Sequence, residues 1–215
     1  AMQAVIDLID SKFAITDTHS LSGTNKTSII RIGIWTISNL CRGKPPPSWK
    51  LVNPATKIAA RLVHSTDLEI VVDALWSLSF LSDGKDKKQK AVVDTRVCPK
   101  LVALLANDQL EVLVPALRTI GNLMAGDDDT TDFVLKTGAL ESIRPLLTHS
   151  MSGVRKEAAW TLSNALAGTP FQIQYVIDSQ AIPVLLDLLM RDKYDIMKEA
   201  AWCLVNAVSG ADRAQ

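Results

Sequence analysis

Five segments of this chain superpose on one another at a nearly constant spacing, and that periodicity limits the fold more than any other feature. The segments are IWTISNLCRG, LWSLSFLSDG, LRTIGNLMAG, AWTLSNALAG and AWCLVNAVSG. Their second residues, Trp35, Trp76, Arg118, Trp160 and Trp202, act as anchors and lie 41, 42, 42 and 42 residues apart. Glycine follows each anchor by eight residues, at Gly43, Gly84, Gly126, Gly168 and Gly210. Asn follows four of them by four residues, at Asn39, Asn122, Asn164 and Asn206, with Phe80 in that place once. A chain built this way stacks one supersecondary unit repeatedly, so its length is no guide to domain number.

Between the anchors, Leu101, Leu104 and Leu105 recur as Ile143, Leu146 and Leu147, and again as Leu185, Leu188 and Leu189. Apolar residues at i, i+3 and i+4 mark an amphipathic helix rather than a strand. Pro99 and Pro183 stand where a helix begins, which suits their fixed φ and missing N–H. Each unit therefore reads as a short helix, a middle helix and a longer third helix that ends at the glycine, closed there by a positive φ. In the last unit the predicted helices are 170–178, 182–190 and 194–209. Helix triplets with a period near 42 fall in the armadillo/HEAT range, so the expected fold is all-α, a right-handed α-solenoid. Residues 1–215 are expected to form a single array of about five units. Val5, Ile6, Leu8 and Ile9 resemble the middle-helix pattern. Asp10–Lys26, about 13 residues longer than the equivalent stretch elsewhere, reads as a surface-loop insertion. No polar capping repeat closes either end, so a longer parent array is expected.

Anchor −3, anchor and anchor +4 share one face of the third helix. In the last two units this stripe is Glu157–Trp160–Asn164 and Glu199–Trp202–Asn206, opposite a face of Ala159, Leu162 and Leu166. Carboxylate and amide lose water on burial, so the stripe is expected on the exposed concave wall. Stacked helices about 8–10 Å apart would set indoles, amides and carboxylates in columns. An Asn amide can bond both N–H and C=O of an extended peptide. Neighbouring indoles can take the aliphatic stem of Lys or Arg, with Asp73, Glu157 and Glu199 receiving the charged head. The expected ligand is an extended basic peptide. Two plainer readings stand beside this one: the indoles as packing devices, and the carboxylates as helix-start charges favoured by the dipole.

The segments WTISNLCRGKPPPSW, DALWSLSFLSDG, PALRTIGNLMAGDD, KEAAWTLSNALAG and KEAAWCLVNAVSG resemble importin-α, the armadillo adaptor for nuclear localisation signals. The order of units resembles its repeats four to eight. The resemblance implies that Trp35, Asn39, Asp73 and Trp76 belong to the C-terminal part of the family's major groove. It implies that Arg118, Asn122, Glu157, Trp160, Ser163, Asn164, Glu199, Trp202 and Asn206 belong to the minor groove. Phe80 stands where the family has Tyr, and Val205 where the preceding unit has Ser163. Pro115 takes the acidic position of its unit and is expected to kink that helix. Arg118 is expected to pair with Glu157, barring indole stacking and separating the grooves. The implied partners are basic nuclear localisation signal peptides, importin-β through an N-terminal segment that this chain lacks, and the family export receptor. The implied localisation is cytoplasm and nucleus.

Composition narrows the alternatives. Twenty-three Lys and Arg balance 23 Asp and Glu, which argues against a nucleic-acid binder driven by bulk charge. No apolar run reaches the roughly 18–20 residues needed to span a bilayer. Cys41, Cys98 and Cys203 form no motif and suggest a reducing compartment. His19, His64 and His149 have no metal or triad spacing, so neither a cofactor nor catalysis is expected. Residues 23–27 (GTNKT) only faintly echo a phosphate loop, and Asn25–Thr27 is a formal glycosylation sequon without a secretory signal. The charged run 85–90 reads as a solvated face, or else as a cargo mimic reaching another molecule's groove. The remaining rival is an armadillo scaffold of the catenin type, whose Lys- and Arg-lined groove takes acidic partners.

Overall fold

The computed structural model describes residues 2–13 and 24–212. Among these residues are thirteen α-helices and one 3-10 helix, with no strand. The chain divides into two compact units, Ala1–Lys100 and Leu101–Gln215.

The first unit contains α1 (Met2–Phe13), α2 (Thr24–Cys41), α3 (Trp49–Leu62), α4 (Leu68–Ser82) and α5 (Asp86–Val93). Third helices α2 and α4 pack side by side, with α1 against α2 and α3 against both α1 and α4. Ile6 and Ile9 of α1, Ile30, Ile34 and Ile37 of α2, and Leu75 and Leu78 of α4 are buried. Only α3 separates α2 from α4, so this repeat lacks the expected first helix. Pro45, Pro46 and Pro47 occupy that stretch, where each missing N–H and fixed ring opposes a helical turn. The expected loop at Asp10–Lys26 is narrower than its predicted bounds, since Asp10–Phe13 end α1 and Thr24–Lys26 begin α2. The rest of that loop, with His19 and Gly23, lies outside the described residues.

Helix α6 (Cys98–Leu104) joins the two units in sequence. The second unit continues with α7 (Leu110–Met124), α8 (Asp128–Leu135), α9 (Ala139–Ile143) extended by a 3-10 turn at Arg144–Thr148, and α10 (Ser152–Leu166). It closes with α11 (Pro170–Asp178), α12 (Ala181–Arg191) and α13 (Tyr194–Gly210). Pro145 tightens the middle helix into the 3-10 turn by withholding an N–H. Pro115 does not break α7, which runs through it. Third helix α10 lies between α7 and α13, and Ala159, Leu162 and Leu166 are all in the core.

Two expectations about termini differ. Of the five register glycines only Gly84 has positive φ, at 132°, so closure by a left-handed residue is not the general device. At Gly168 the reason is close approach: an added Cβ would lie 1.6 Å from Gln172 Oε1. That amide reaches back to the Thr169 N–H while Thr169 Oγ1 accepts from Gln172 N, a reciprocal cap that starts α11. Elsewhere Asp67 and Asp127 cap α4 and α8 by accepting from Ile70 N and Thr130 N.

Ion pairs tie consecutive repeats within each unit. Arg31 on α2 reaches Asp67 before α4, with Nη2 2.7 Å from Oδ2, and also Glu69 at 2.9 Å. Arg155 on α10 grips Asp192 before α13 through Nε and Nη2 at 2.6 and 2.8 Å. The hydrogen bond from Arg155 holds the Asp192 carboxyl below its usual range. Burial pushes Asp67 the other way, but Arg31 and backbone N–H groups outweigh it and keep that acid low as well. The three cysteines form no disulfide and are buried; burial raises the Cys98 and Cys203 thiols to about 12. Such thiols are poor nucleophiles.

Candidate peptide-binding surface

In the second unit the stripe residues lie on the adjacent helices α7, α10 and α13. The Asn164 amide Nδ2 donates to the carbonyl of Gly121 on α7 at 3.0 Å. One repeat later, Asn206 Nδ2 donates to the carbonyl of Ser163 on α10, also at 3.0 Å. Each amide thus spans from its own third helix to the preceding one. Ser163 Oγ is turned inward and donates to the Trp160 carbonyl at 2.7 Å.

The anchors themselves differ. Arg118 Nη2 donates to Glu157 Oε2 at 2.6 Å, while Nε lies against Oε1. The same guanidinium stands over the Trp160 ring, 5.0 Å from its centroid, within range of cation–π attraction. Trp160 fits there because residue 121 is glycine: an added Cβ would lie 2.3 Å from Trp160 Cζ3. Burial raises the Glu157 carboxyl above its usual range, with Arg118 opposing and Glu199 adding to the rise. At the next repeat no such internal cation is present among the described ion pairs, and Trp202 is 53% exposed beside partly exposed Glu199 and Asn206.

The expected exposure of the whole stripe therefore holds in part. Asn122, Glu157 and Ser163 are each more than nine-tenths buried. Glu157 is held by its ion pair with Arg118, Ser163 Oγ by the Trp160 carbonyl, and Asn122 also has an interaction partner. The pairing of Arg118 with Glu157 is present. Sequence reasoning missed Gly121, whose signal was available: the equivalent position is Ser38, Ser79, Ser163 and Val205 in the other repeats.

In the first unit Trp35 is 59% exposed, and Asn39 turns back to donate to the Trp35 carbonyl at 2.8 Å. Trp76 is partly covered by Phe80, their rings stacked at 5.9 Å. Phe80 thus replaces an amide by a ring that extends the apolar surface. Asp73 is half-buried, and burial together with neighbouring Glu69 raises its carboxyl above the usual range. No group of three or more metal-ligating side chains exists among the described residues.

The armadillo/β-catenin-like repeat model matches residues 85–125, 127–167 and 170–209. The chain is an armadillo-repeat protein. Its fold is the all-α armadillo solenoid. The array is 51% identical over 85 residues to importin subunit alpha-1a of Oryza sativa subsp. japonica, covering 40% of this chain and 16% of that protein. It is 44% identical over 102 residues to importin subunit alpha-3 of Arabidopsis thaliana, covering 47% of this chain and 19% of that one. The matched region thus spans under a fifth of these curated relatives. Among solved structures, an engineered protein matches with TM-score 0.82 and 27% identity, over 96% of this chain and 80% of that one. A designed armadillo repeat protein in complex with the peptide (KR)4 matches with TM-score 0.81 over 94% and 80% of the chains. At 21% identity that second match speaks to the fold alone.

Proposed function

We propose that this armadillo array is a nuclear import adaptor of the importin-α kind, and that it binds Lys/Arg-rich nuclear localisation peptides in extended form. The principal site is the surface of α10 and α13 formed by Trp160, Asn164, Glu199, Trp202 and Asn206. The observation that carries this reading is the Arg118–Glu157–Trp160 cluster. There the protein seats one of its own guanidiniums between a carboxylate and an indole, which supports a cation-accepting role for the same geometry elsewhere. Translated by one repeat, the same positions are Glu199 and Trp202, where no internal cation is paired among the described residues. A cargo Arg or Lys fills that place, its stem between the indoles and its head on Glu199. Asn164 and Asn206 each commit one N–H to a neighbouring helix and keep the other N–H and Oδ1 for the peptide backbone. Glu157, taken by Arg118, serves the scaffold. Trp35, Asn39, Asp73 and Trp76 supply a second cation-accepting surface on the first unit.

The partners under this reading are cargo signal peptides, importin-β and the family export receptor, and the localisation is cytoplasm and nucleus. Similarity to importin-α subunits supports these assignments. Titration with a Lys/Arg-rich peptide and with an acidic peptide, followed by Trp fluorescence, tests the reading. Preferential binding of the basic peptide, weakening as salt rises, is expected. Tighter binding of the acidic peptide at this stripe would favour a catenin-type scaffold instead. Changing Trp160 and Asn164 together to Ala lowers basic-peptide affinity at least tenfold (about 1.4 kcal/mol) while helicity is kept; unchanged affinity removes them from the site.

A further inference from the structure

The repeat supplies its own control for the charged run at residues 85–90. Helices α5 and α8 occupy the same place in consecutive repeats, so Lys85 corresponds to Asp127 and Lys87 to Asp129, each 42 residues apart. In α8 Asp127 caps the helix and Asp128 and Asp129 occupy the first turn, where the helix dipole favours anions. In α5 the capping position is Lys85, which makes no side-chain cap bond, and Lys87 and Lys88 follow in the first turn with only Asp86 beside them. Cations there oppose the dipole. The fold does not require them, because α8 forms with aspartates. A local choice that works against its own helix points to a role outside folding.

The lysines are not isolated. Lys44, after α2, stands at the same register as Lys85, with Arg42 beside it. The two loops are neighbours: α2 and α4 pack together, and Lys88 is close enough to buried Cys41 to oppose the rise of its thiol. Lys88 is spent on the loop itself, its Nζ donating to the Asp83 carbonyl at 2.5 Å. Arg42, Lys44, Lys85, Lys87 and Lys90 are all exposed. None of their side chains has an ion-pair or hydrogen-bond partner among the described residues, whereas the side chains of Arg31 and Arg61 of the same unit are paired. Residues 86–93 are helical, so the run is not presented as an extended strand.

We infer that this cationic edge of the first unit, formed by Arg42, Lys44, Lys85, Lys87 and Lys90, is a docking surface for an acidic polypeptide segment. It is distinct from the stripe proposed to bind cargo, and of opposite preference. Neighbouring repeats stand about 10 Å apart and an extended chain rises about 3.3 Å per residue, so carboxylates three residues apart meet successive loops. A polypeptide is favoured over nucleic acid for two reasons. No aromatic residue lies within 42–44 or 83–90 to stack on bases. A chain of zero net charge also exerts little long-range pull on a polyanion.

The test is fluorescence anisotropy with a dye-labelled Asp/Glu-rich peptide, using the whole chain and the variant Lys85→Asp/Lys87→Asp. The substitutions copy α8, so the variant is expected to melt no lower than the parent. Acidic-peptide affinity should fall at least tenfold in the variant and fall steeply with salt in the parent, with Lys/Arg-peptide binding unchanged. Failure of the acidic peptide to bind at low salt, or equal binding by the variant, would overturn the inference. So would an oligonucleotide that outcompetes the peptide. The acidic-peptide results do not depend on whether the stripe of α10 and α13 binds basic cargo.

Discussion

The surroundings of Trp160 and of Trp202 are built from the same positions of consecutive repeats, yet one is closed and the other open. Around Trp160 the preceding anchor is Arg118, which fills the cation position, and the residue beneath the ring is Gly121, which lets the indole settle on α7. Around Trp202 the preceding anchor is Trp160 and the position of Gly121 is held by Ser163, so the ring stays half exposed. Two differences at fixed register, Arg118 for an indole and Gly121 for Ser163, thus accompany the closed and the open surroundings. The amide bridges are common to both.

The largest expected effect comes from emptying the closed side. Arg118→Met leaves the Glu157 carboxylate without its counter-charge and should cost about 2 kcal/mol at neutral pH, less than for a fully buried pair because the guanidinium is half exposed. The pH dependence carries a definite sign. Burial raises the Glu157 carboxyl in the native state, so its contribution is greatest below the unfolded carboxyl range and is lost as pH rises through the native value. Without Arg118 the native value rises further. Urea melts at successive pH values should thus show the variant losing more stability than the parent between mildly acidic and neutral pH. Adding Glu157→Gln should flatten that difference; a variant with an unchanged profile would mean that Arg118 does not hold Glu157.

Gly121→Ala probes the seat of the closed ring. Helix propensity favours alanine by roughly 0.5–1 kcal/mol, but overpacking against Trp160 costs about 1–3 kcal/mol, for a net loss of about 1.5 kcal/mol. Trp emission should shift to the red as the indole is displaced, and an Ala variant as stable as the parent would remove Gly121 from this role. On the open side, Trp202→Ala should weaken basic-peptide binding about tenfold, or about 1.4 kcal/mol, with little change in melting because the ring is exposed. Asn206→Ala removes one bridge to α10 and should lower stability by about 1 kcal/mol. If it were silent in both stability and binding, the bridge would be incidental.

Much of this was legible from the residues. The period located every third helix, and in the last unit the predicted 170–178 matches α11, while 182–190 and 194–209 fall one residue short of α12 and α13 at their ends. Local chemistry explains that success, because apolar spacing, Thr169 and Pro170 all favour the same boundaries. The missing first helix before α3 was hidden by the regularity of the repeat, which drew attention away from three consecutive prolines. The pairing of Arg118 with Glu157 could be anticipated because both are charged side chains at related register. The bridges of Asn164 and Asn206 could not, because their acceptors are backbone carbonyls 43 residues away, and no side-chain pattern marks a carbonyl. Burial of Glu157 and Ser163 was misjudged because each finds a partner inside the protein, Glu157 in Arg118 on α7 and Ser163 in the Trp160 carbonyl of its own helix.

The carboxamide bridges have a consequence for the cost of recognition. Asn164 and Asn206 are held in one rotamer by bonds made before any ligand arrives, so a peptide aligning along them need not freeze those side chains. That saving is of order 0.5–1.5 kcal/mol for each mobile side chain otherwise immobilised. Side chains fixed in this way leave the protein little of its own to still when a flexible partner arrives.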